Sequence, residues 1–281
     1  MVVHIILGKN LKKKSRDILK RMNVTCILYG GLGNQLFQIF TTIAFSIKHN
    51  LNFTFFYTPN LGKRQTYWHT LLSSIIEHTT TEPIENYTQI NQGEVTFDKP
   101  PLNKDIVLNG YFQSLTFFEN EFNTIMDILQ MERFRVASSN VSVSLHFRLG
   151  DYKFLQDCHP ILQIDYYKNA LEYILLMDST VTHVKYYCEE EDIETVNLNV
   201  ETLRQEFRNV SFQRDVADSD WEEMISMSCC KHNIIANSSF SWWGAYFNTT
   251  RDKIVCYPSV WFGSLIQQDV SSMFPSEWIK I

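Results

Sequence analysis

The sequence predicts an α/β protein with two halves, each a parallel sheet covered by helices on both faces, that meet at a cleft. Two observations indicate this class. Short apolar, β-branched segments alternate with amphipathic ones along the 281 residues, most regularly in the second half. In both halves a strand-like segment also runs directly into glycine or polar residues, at the point where open α/β sheets bind ligands.

The first half begins with Val24–Tyr29, which is short, apolar and partly β-branched, as expected of a buried strand. Apolar residues then recur at helical spacing across Gln35–Lys48, which predicts a helix. The elements predicted after these are a strand over Leu51–Phe56, a helix near Trp68–His78, a strand over Ile106–Leu108 and a helix near Leu115–Met131.

The second half repeats the alternation with five strands and four helices. The predicted strands are Val141–Leu145, Val184–Cys188, Val210–Phe212, Ile234–Ala236 and Ile254–Cys256. The predicted helices are Asp165–Met177, Val200–Phe207, Trp221–Cys230 and Ser241–Phe247. We therefore expect a basic extension over 1–22, two domains over 23–139 and 140–260, and a tail over 261–281 that packs back.

Composition limits the class of protein further. With 44% hydrophobic residues the chain has enough apolar side chains for a full core. No run approaches the roughly 20 apolar residues of a membrane-spanning helix. Residues 1–22 carry seven basic side chains and one acidic, against a total charge of −6. This basic segment suits a membrane surface, or is simply a solvated extension, and we expect no nucleic-acid partner.

The apolar run Met1–Leu7 precedes those charges instead of following them, so it is not patterned as a signal peptide. The six cysteines show no metal-binding spacing, and a reducing compartment suits them. Both features predict a cytoplasmic protein.

Residues 30–38 read Gly-Gly-Leu-Gly-Asn-Gln-Leu-Phe-Gln between the first strand and the first helix. Such a turn brings backbone N–H groups and a helix N-terminus to one point, which suits a phosphate. Glycines also serve ordinary strand-to-helix turns, so that reading stays open. The dinucleotide-binding fingerprint is excluded, because position 36 is leucine and no acidic residue lies near position 50.

Residues 145–152 read Leu-His-Phe-Arg-Leu-Gly-Asp-Tyr after a predicted strand. Arg148 thus lies at a strand end, where its guanidinium offers a fork of donors to a phosphate. The alternative is a structural ion pair between Arg148 and Asp151.

Residues 237–244 read Asn-Ser-Ser-Phe-Ser-Trp-Trp-Gly, again after a predicted strand. Small hydroxyl residues at this place cap a helix, and their backbone suits a second face of a phosphate. Trp242 and Trp243 continue into an apolar helix, so we expect them in the core.

Together the three segments resemble the α1,2-fucosyltransferases of bacterial, animal and viral type, a glycosyltransferase family 11-like group. That family carries Gly-Gly-Leu-Gly-Asn-Gln, then His-x-Arg-Arg-Gly-Asp-Tyr, then Asn-Ser-(Ser/Thr)-Phe-Ser-Trp-Trp-Gly-Ala. The matches are 30–38, 146–152 and 237–245, and 110–114 and 227–237 look like further family blocks. The resemblance runs from about residue 24 to about residue 257, as in a soluble bacterial or viral member.

Three departures from the family pattern stand out. The family's second arginine is Leu149 here, and the acidic residue before the late Met-Ser-x-Cys run is Glu223 where the family tends to carry aspartate. The predicted strand that ends at Cys188 runs into four acidic residues, 189–192, where the family often has Phe-Ser-Asp-Asp.

The resemblance implies a GT-B-like fold of two Rossmann-like domains, with the donor bound mainly by the second. It implies an inverting transferase that moves fucose from GDP-fucose to a hydroxyl, O2, of a galactose-type acceptor. Arg148 would hold the donor's β-phosphate, and Asp151 would orient Arg148 or deprotonate the acceptor. The donor-binding residues would be His146, Arg148, Glu223, Asn237, Ser239, Phe240 and Ser241, faced by Gly31, Gly33, Asn34 and Gln35.

The chain has no Asp-x-Asp pair at a strand end, so we expect no metal ion and no other cofactor. Two alternatives to the fucosyl reading stay open. One is a GT-B transferase for another nucleotide sugar, and the other is a catalytically weak carbohydrate-binding relative, toward which Leu149 points. A nicotinamide-dependent oxidoreductase is disfavoured by the missing third glycine and the missing acid.

Overall fold

A computed structural model describes residues 22–94, 97–100, 103–135 and 139–281. Apart from Met22, the predicted basic extension lies outside these residues. In the described part of the chain, no helix combines the length and apolar character needed to cross a bilayer.

Within the described residues, the first half contains eight strands: β1 Asn23–Cys26, β2 Asn52–Phe53, β3 Phe55–Phe56, β4 Asn60–Leu61, β5 Arg64–Gln65, β6 Thr79–Thr80, β7 Tyr87–Asn91 and β8 Asp105–Asn109. Four of them form a parallel sheet in the order β2-β1-β8-β7. The others form two smaller pairs: β3 with β6 in parallel, and β4 with β5 as an antiparallel hairpin. The helices are α1 Leu32–His49 and α2 Phe122–Ile128.

The second half, described over 139–281, contains six strands: β9 Ser139–His146, β10 His183–Tyr187, β11 Ser211–Arg214, β12 Cys230–Ile234, β13 Val255–Tyr257 and β14 Ile279–Lys280. They form one parallel sheet in the order β11-β10-β9-β12-β13-β14. Counted within this half the order is 3-2-1-4-5-6, the doubly wound Rossmann order, which changes direction between β9 and β12. The helices are α3 Ile164–Met177, α4 Ile193–Glu206, α5 Asp220–Ser228 and α6 Ser239–Tyr246.

These two parallel sheets confirm the predicted α/β class with two Rossmann-like units. A buried aromatic cluster joins the halves. Trp242 and Trp243 of α6 are fully buried, as expected. Their ring centroids lie 4.6 and 5.0 Å from the Phe37 ring of α1. The last residues pack on the same region, since the Trp242 Nε1 donates to the Met273 carbonyl at 3.1 Å and β14 extends the second sheet.

Of the predicted helices of the first half, one is wrong and another is only partly present. The segment near Trp68–His78 forms only a 3-10 helix over Ser73–His78. The segment near Leu115–Met131 contains the short α2, which follows 3-10 turns at Leu115–Phe117 and Glu119–Glu121. Phe118, between those turns, is fully buried among the rings of the α1–α6 cluster. Tertiary packing of the aromatic residues therefore overrides the local helical spacing.

One predicted strand is split. Leu51–Phe56 gives β2 on the main sheet and β3 on a separate pair, and Thr54 lies between them. The Thr54 N–H still bonds the Val24 carbonyl at 2.9 Å, while its hydroxyl donates to the His78 carbonyl at 3.0 Å. The chain thus passes from one sheet to the next at this residue.

Candidate active site

The strand order of the second sheet reverses between β9 and β12, and open α/β sheets form a ligand-binding crevice at the carboxyl ends of the two strands at such a point. The three segments that the sequence singled out meet there. The Tyr152 hydroxyl, after β9, donates to the Asn237 carbonyl, after β12, at 3.1 Å. The Ser239 hydroxyl, at the start of α6, donates to the Asn34 side-chain oxygen at the start of α1 at 2.8 Å.

Arg148 follows the last residue of β9 by two positions. The Phe147 N–H still bonds the Tyr187 carbonyl at 2.9 Å, so the sheet fixes the backbone beside Arg148. The Arg148 side chain is 15% exposed and donates to the carboxylates of Asp151 and Glu189. The guanidinium carbon lies 5.0 Å from the Tyr152 ring centre. The predicted Arg148–Asp151 pair is therefore present, and the guanidinium is already held in one orientation.

Asp151 also contacts the first half of the chain. Its second oxygen lies 3.6 Å from the Arg64 guanidinium on β5, and both side chains are about half exposed. Two arginines from opposite sides of the crevice therefore share this carboxylate. The sequence contained no signal for Arg64, because it belongs to a two-residue strand without an apolar pattern.

Leu149, which replaces the family's second arginine, is 6% exposed and packs in the core of the second half. A long charged side chain at this position would have to leave that core to reach the crevice. The missing positive charge is therefore not supplied from position 149.

The acidic segment after β10 lies beside Arg148. The Asp192 carboxylate is buried and accepts from the Gly150 N–H at 2.7 Å and from the Lys153 ammonium. Oxygens of Glu189, Glu191 and Asp192 lie within 4.8 Å of one another, a grouping that suits a cation. Arg148 and Lys153 already neutralise two of these carboxylates, those of Glu189 and Asp192. Metal independence stays a prediction.

His146, the last residue of β9, is 7% exposed, and its ring centre is 5.5 Å from that of Phe240. Burial, and then the charge of Arg148, lower the pKa of His146 to about 3. The imidazole is thus neutral, and its buried Nδ1 lacks a hydrogen-bond partner among the described residues.

The glycines of the first segment have different roles. Gly30 has a φ of +84°, a conformation that favours glycine. Gly33 lies inside α1, which begins at Leu32, three residues before the predicted start. A Cβ on Gly33 would lie 2.4 Å from the Ser239 carbonyl carbon, so this glycine allows α1 and α6 to touch. A Cβ on Gly31 would meet nothing within 4 Å, which leaves Gly31 as the open position.

Asn34 and Gln35 make contacts within the protein. The Asn34 oxygen accepts from Ser239 and from the Gln113 amide, each at 2.8 Å. The buried Gln35 amide donates to the carbonyls of Gly30 at 3.1 Å and Gln65 at 2.9 Å. These bonds hold the start of α1 in place, and the expected contacts of Asn34 and Gln35 with sugar or phosphate stay predictions.

The third segment also serves the local structure. The buried Asn237 amide donates to the carbonyls of Pro160 at 2.9 Å and Trp261 at 3.2 Å. Ser238 caps α6, because its hydroxyl accepts from the Phe240 N–H at 3.3 Å. Ser241 is 1% exposed, and its hydroxyl donates to the backbone carbonyls of Ala236 and Ser238. The Ser241 side chain is therefore covered by protein and is not exposed at the crevice. The strand before this segment ends at Ile234, two residues before the predicted end.

Glu223 lies on α5, near the carboxyl ends of β10 and β11. Its carboxylate accepts from the Ala217 backbone N–H, and the positive charge of Arg214 acts on it. Burial dominates and raises the pKa of Glu223 to about 7. This half-buried acid therefore changes charge near neutral pH, which is common for a group in a binding site.

The chain is similar to known glycosyltransferases. The model of a family described as glycosyl transferase family 11 matches residues 13–281. The O-antigen biosynthesis glycosyltransferase WbnK of Escherichia coli is 31% identical over 194 residues, which are 62% of this chain and 60% of WbnK. An alpha-1,2-colitosyltransferase of Escherichia coli is 25% identical over 92% of this chain and 98% of its own length. Among solved structures, the E. coli heptosyltransferase WaaC with ADP aligns over 92% of each chain, with 10% identity and a TM-score of 0.48.

Proposed function

Because the chain belongs to glycosyl transferase family 11, we propose that it is an inverting transferase that moves fucose from GDP-fucose to O2 of a galactose-type acceptor. The observation that carries this proposal is the meeting of the three segments at the strand-order reversal of the second sheet. Arg148 follows the end of β9, and its guanidinium contacts Asp151 and Glu189, the second of which follows β10.

The chemistry follows from the charge that develops as the donor breaks. When the sugar leaves, it becomes oxocarbenium-like, and negative charge grows on the β-phosphate of GDP. Donors that are already oriented toward that phosphate stabilise the transition state more than the ground state. Arg148 meets this requirement, because its backbone is fixed by the sheet and its side chain is held by two carboxylates.

Asp151 positions the arginines in this scheme. While the site is empty, one of its oxygens accepts from Arg148 and the other lies 3.6 Å from Arg64, and on these contacts we assign it the positioning role. His146 and the backbone around Gly31 and Ser239 complete the donor site, and positive side chains take the place of a metal ion.

Glu223 is the proposed guanine-binding group. An ionised carboxylate accepts from the N1 and N2 donors of guanine, which adenine does not offer in the same arrangement. The half-buried position on α5, near the ends of β10 and β11, suits a base that lies beyond the phosphates.

We expect GDP affinity to rise with pH through the titration of Glu223. Its pKa is about 7 without ligand, and guanine bonds only the charged form, so binding must ionise the group at lower pH. Affinity should then fall by up to about tenfold per pH unit below pH 7 and level off above it. Calorimetry between pH 5.5 and 8.5 measures this slope.

A Glu223→Gln variant is the control, because it keeps the titration of the GDP phosphate and removes that of the carboxyl group. The variant should bind GDP more weakly and lose the extra slope. An identical pH slope in both proteins would exclude Glu223 from guanine binding.

A second candidate donor is nucleotide-linked colitose. The colitosyltransferase aligns over nearly the whole chain, and colitose is fucose that lacks the hydroxyl at C3. A site built to hydrogen-bond that hydroxyl rejects the analogue without it strongly, whereas an apolar site does not. Competition between the two donors in one reaction therefore separates the candidates.

The nucleotide preference is tested by thermal unfolding. GDP at about 100 times its dissociation constant should stabilise the fold by roughly 2.7 kcal/mol. For a chain of this size that corresponds to about 5–10 °C in Tm. UDP and ADP at the same concentration should give smaller shifts, and a shift with UDP alone would refute a GDP-linked donor.

A further inference from the structure

Arg64 reaches the candidate active site from the opposite half of the protein. Its guanidinium Nη2 lies 3.6 Å from one oxygen of Asp151, and the other oxygen accepts from Arg148. Among the described residues, Asp151 takes part in two ion pairs, one with Arg64 and one with Arg148. A single carboxylate therefore holds two guanidinium groups at one place in the crevice.

The strand that carries Arg64 is anchored on two sides. The neighbouring Gln65 accepts through its carbonyl from the Gln35 amide of α1 at 2.9 Å. Its side-chain amide donates to Asp220 of α5 at 3.3 Å. Successive side chains of a strand point to opposite faces. Fixing Gln65 toward α5 therefore presents Arg64 to the other face, where Asp151 lies.

The charge balance explains why two arginines are useful. Arg148 and Arg64 are matched by Asp151 and Glu189, so this group of four side chains is formally neutral without a ligand. A nucleoside diphosphate adds at least two negative charges. The Arg64–Asp151 pair is half exposed on both sides, and such pairs contribute little and exchange readily.

We propose that Arg64 is a second phosphate-binding residue for the donor, supplied by the first half of the protein. Asp151 holds both arginines while the site is empty, and the β-phosphate replaces it as their partner. This inference rests on the proposed function. It also accounts for Leu149, because the positive charge missing after Arg148 is delivered from across the crevice.

The test compares GDP with GMP, which differ by the β-phosphate. Calorimetry gives both affinities for the wild type, Arg64→Ala, Arg64→Lys and Lys63→Ala. Arg64→Ala should weaken GDP binding about tenfold or more, the effect of one charge-assisted hydrogen bond, and change GMP binding less than about twofold. Arg64→Lys should fall between the wild type and alanine, because it keeps the charge without the fork.

Lys63→Ala removes the adjacent exposed cation of the same turn and should bind both nucleotides as the wild type does. Equal losses for GDP and GMP in Arg64→Ala would mean that Arg64 only joins the two halves of the protein, and no loss for either nucleotide would also overturn the inference. A wild type that does not prefer GDP over UDP would instead refute the proposed function. Unfolding temperatures of all variants show whether a loss of nucleotide binding reflects a loss of folding. If Arg64→Ala does not fold, the GDP and GMP affinities of Arg64→Lys test the inference instead.

Discussion

Replacing Arg148 with alanine is expected to slow single-turnover transfer by about a hundred- to a thousandfold. Loss of one preorganised donor to a developing anion typically costs about 3–4 kcal/mol. The effect should fall mainly on turnover, since the charge that Arg148 meets grows only as the sugar leaves. Rapid-quench measurement with enzyme in excess over donor isolates this step.

The controls separate charge from geometry. Arg148→Lys should recover little, because an ammonium group does not reproduce the bidentate contact. Arg208→Ala removes an exposed arginine before β11, at the opposite end of the second sheet, and should react at the wild-type rate. Retention of more than about a tenth of the rate by Arg148→Ala would assign the leaving phosphate to another group.

Replacing Gly33 with alanine is expected to destabilise the fold by about 1–3 kcal/mol, as overpacking of a close contact does. The new Cβ would lie 2.4 Å from the Ser239 carbonyl carbon and 2.6 Å from the Phe240 nitrogen, and backbone atoms do not rotate away. The helices α1 and α6 must separate, which strains the 2.9 Å bond from the Trp243 Nε1 to the Gly33 carbonyl. The free energy of unfolding in urea measures this change.

Gly31→Ala is the matched control, because its Cβ meets nothing within 4 Å and the backbone there is extended. This variant should unfold within about 1 kcal/mol of the wild type, a difference typical of changes at a helix cap. If Gly33→Ala is as stable as Gly31→Ala, the contact between α1 and α6 is not as close as described.

Much of the second half was predictable because its strands are buried and its helices amphipathic. Five of its six strands and all four helices were expected, most of them with ends displaced by a few residues. The exceptions are α4, which begins seven residues before its predicted start, and β12, which shares only Ile234 with the predicted strand. The sixth, Ile279–Lys280, is too short to leave a pattern in the sequence. In the first half, Tyr87–Asn91 was missed because it is an edge strand in which only Ile90 is buried.

The site was predictable where a residue follows a strand directly. Arg148 and His146 lie at the end of β9, so their position at the crevice follows from the sheet. The hydroxyl of Ser241 was misplaced because the sequence does not reveal which face of α6 is buried. Arg64 and Glu189 were missed as partners of this site because tertiary contacts alone bring them to it.

The central claim is that the protein transfers fucose from GDP-fucose at the Arg148 crevice. The most direct measurement is product formation by the wild-type protein with a galactose-type acceptor and GDP-fucose, GDP-colitose, GDP-mannose or UDP-galactose as donor. We predict acceptor-dependent transfer from GDP-fucose, linked at O2 of the acceptor and lost in Arg148→Ala. Transfer from UDP-galactose with none from the GDP-linked sugars, or equal transfer by Arg148→Ala, would contradict it.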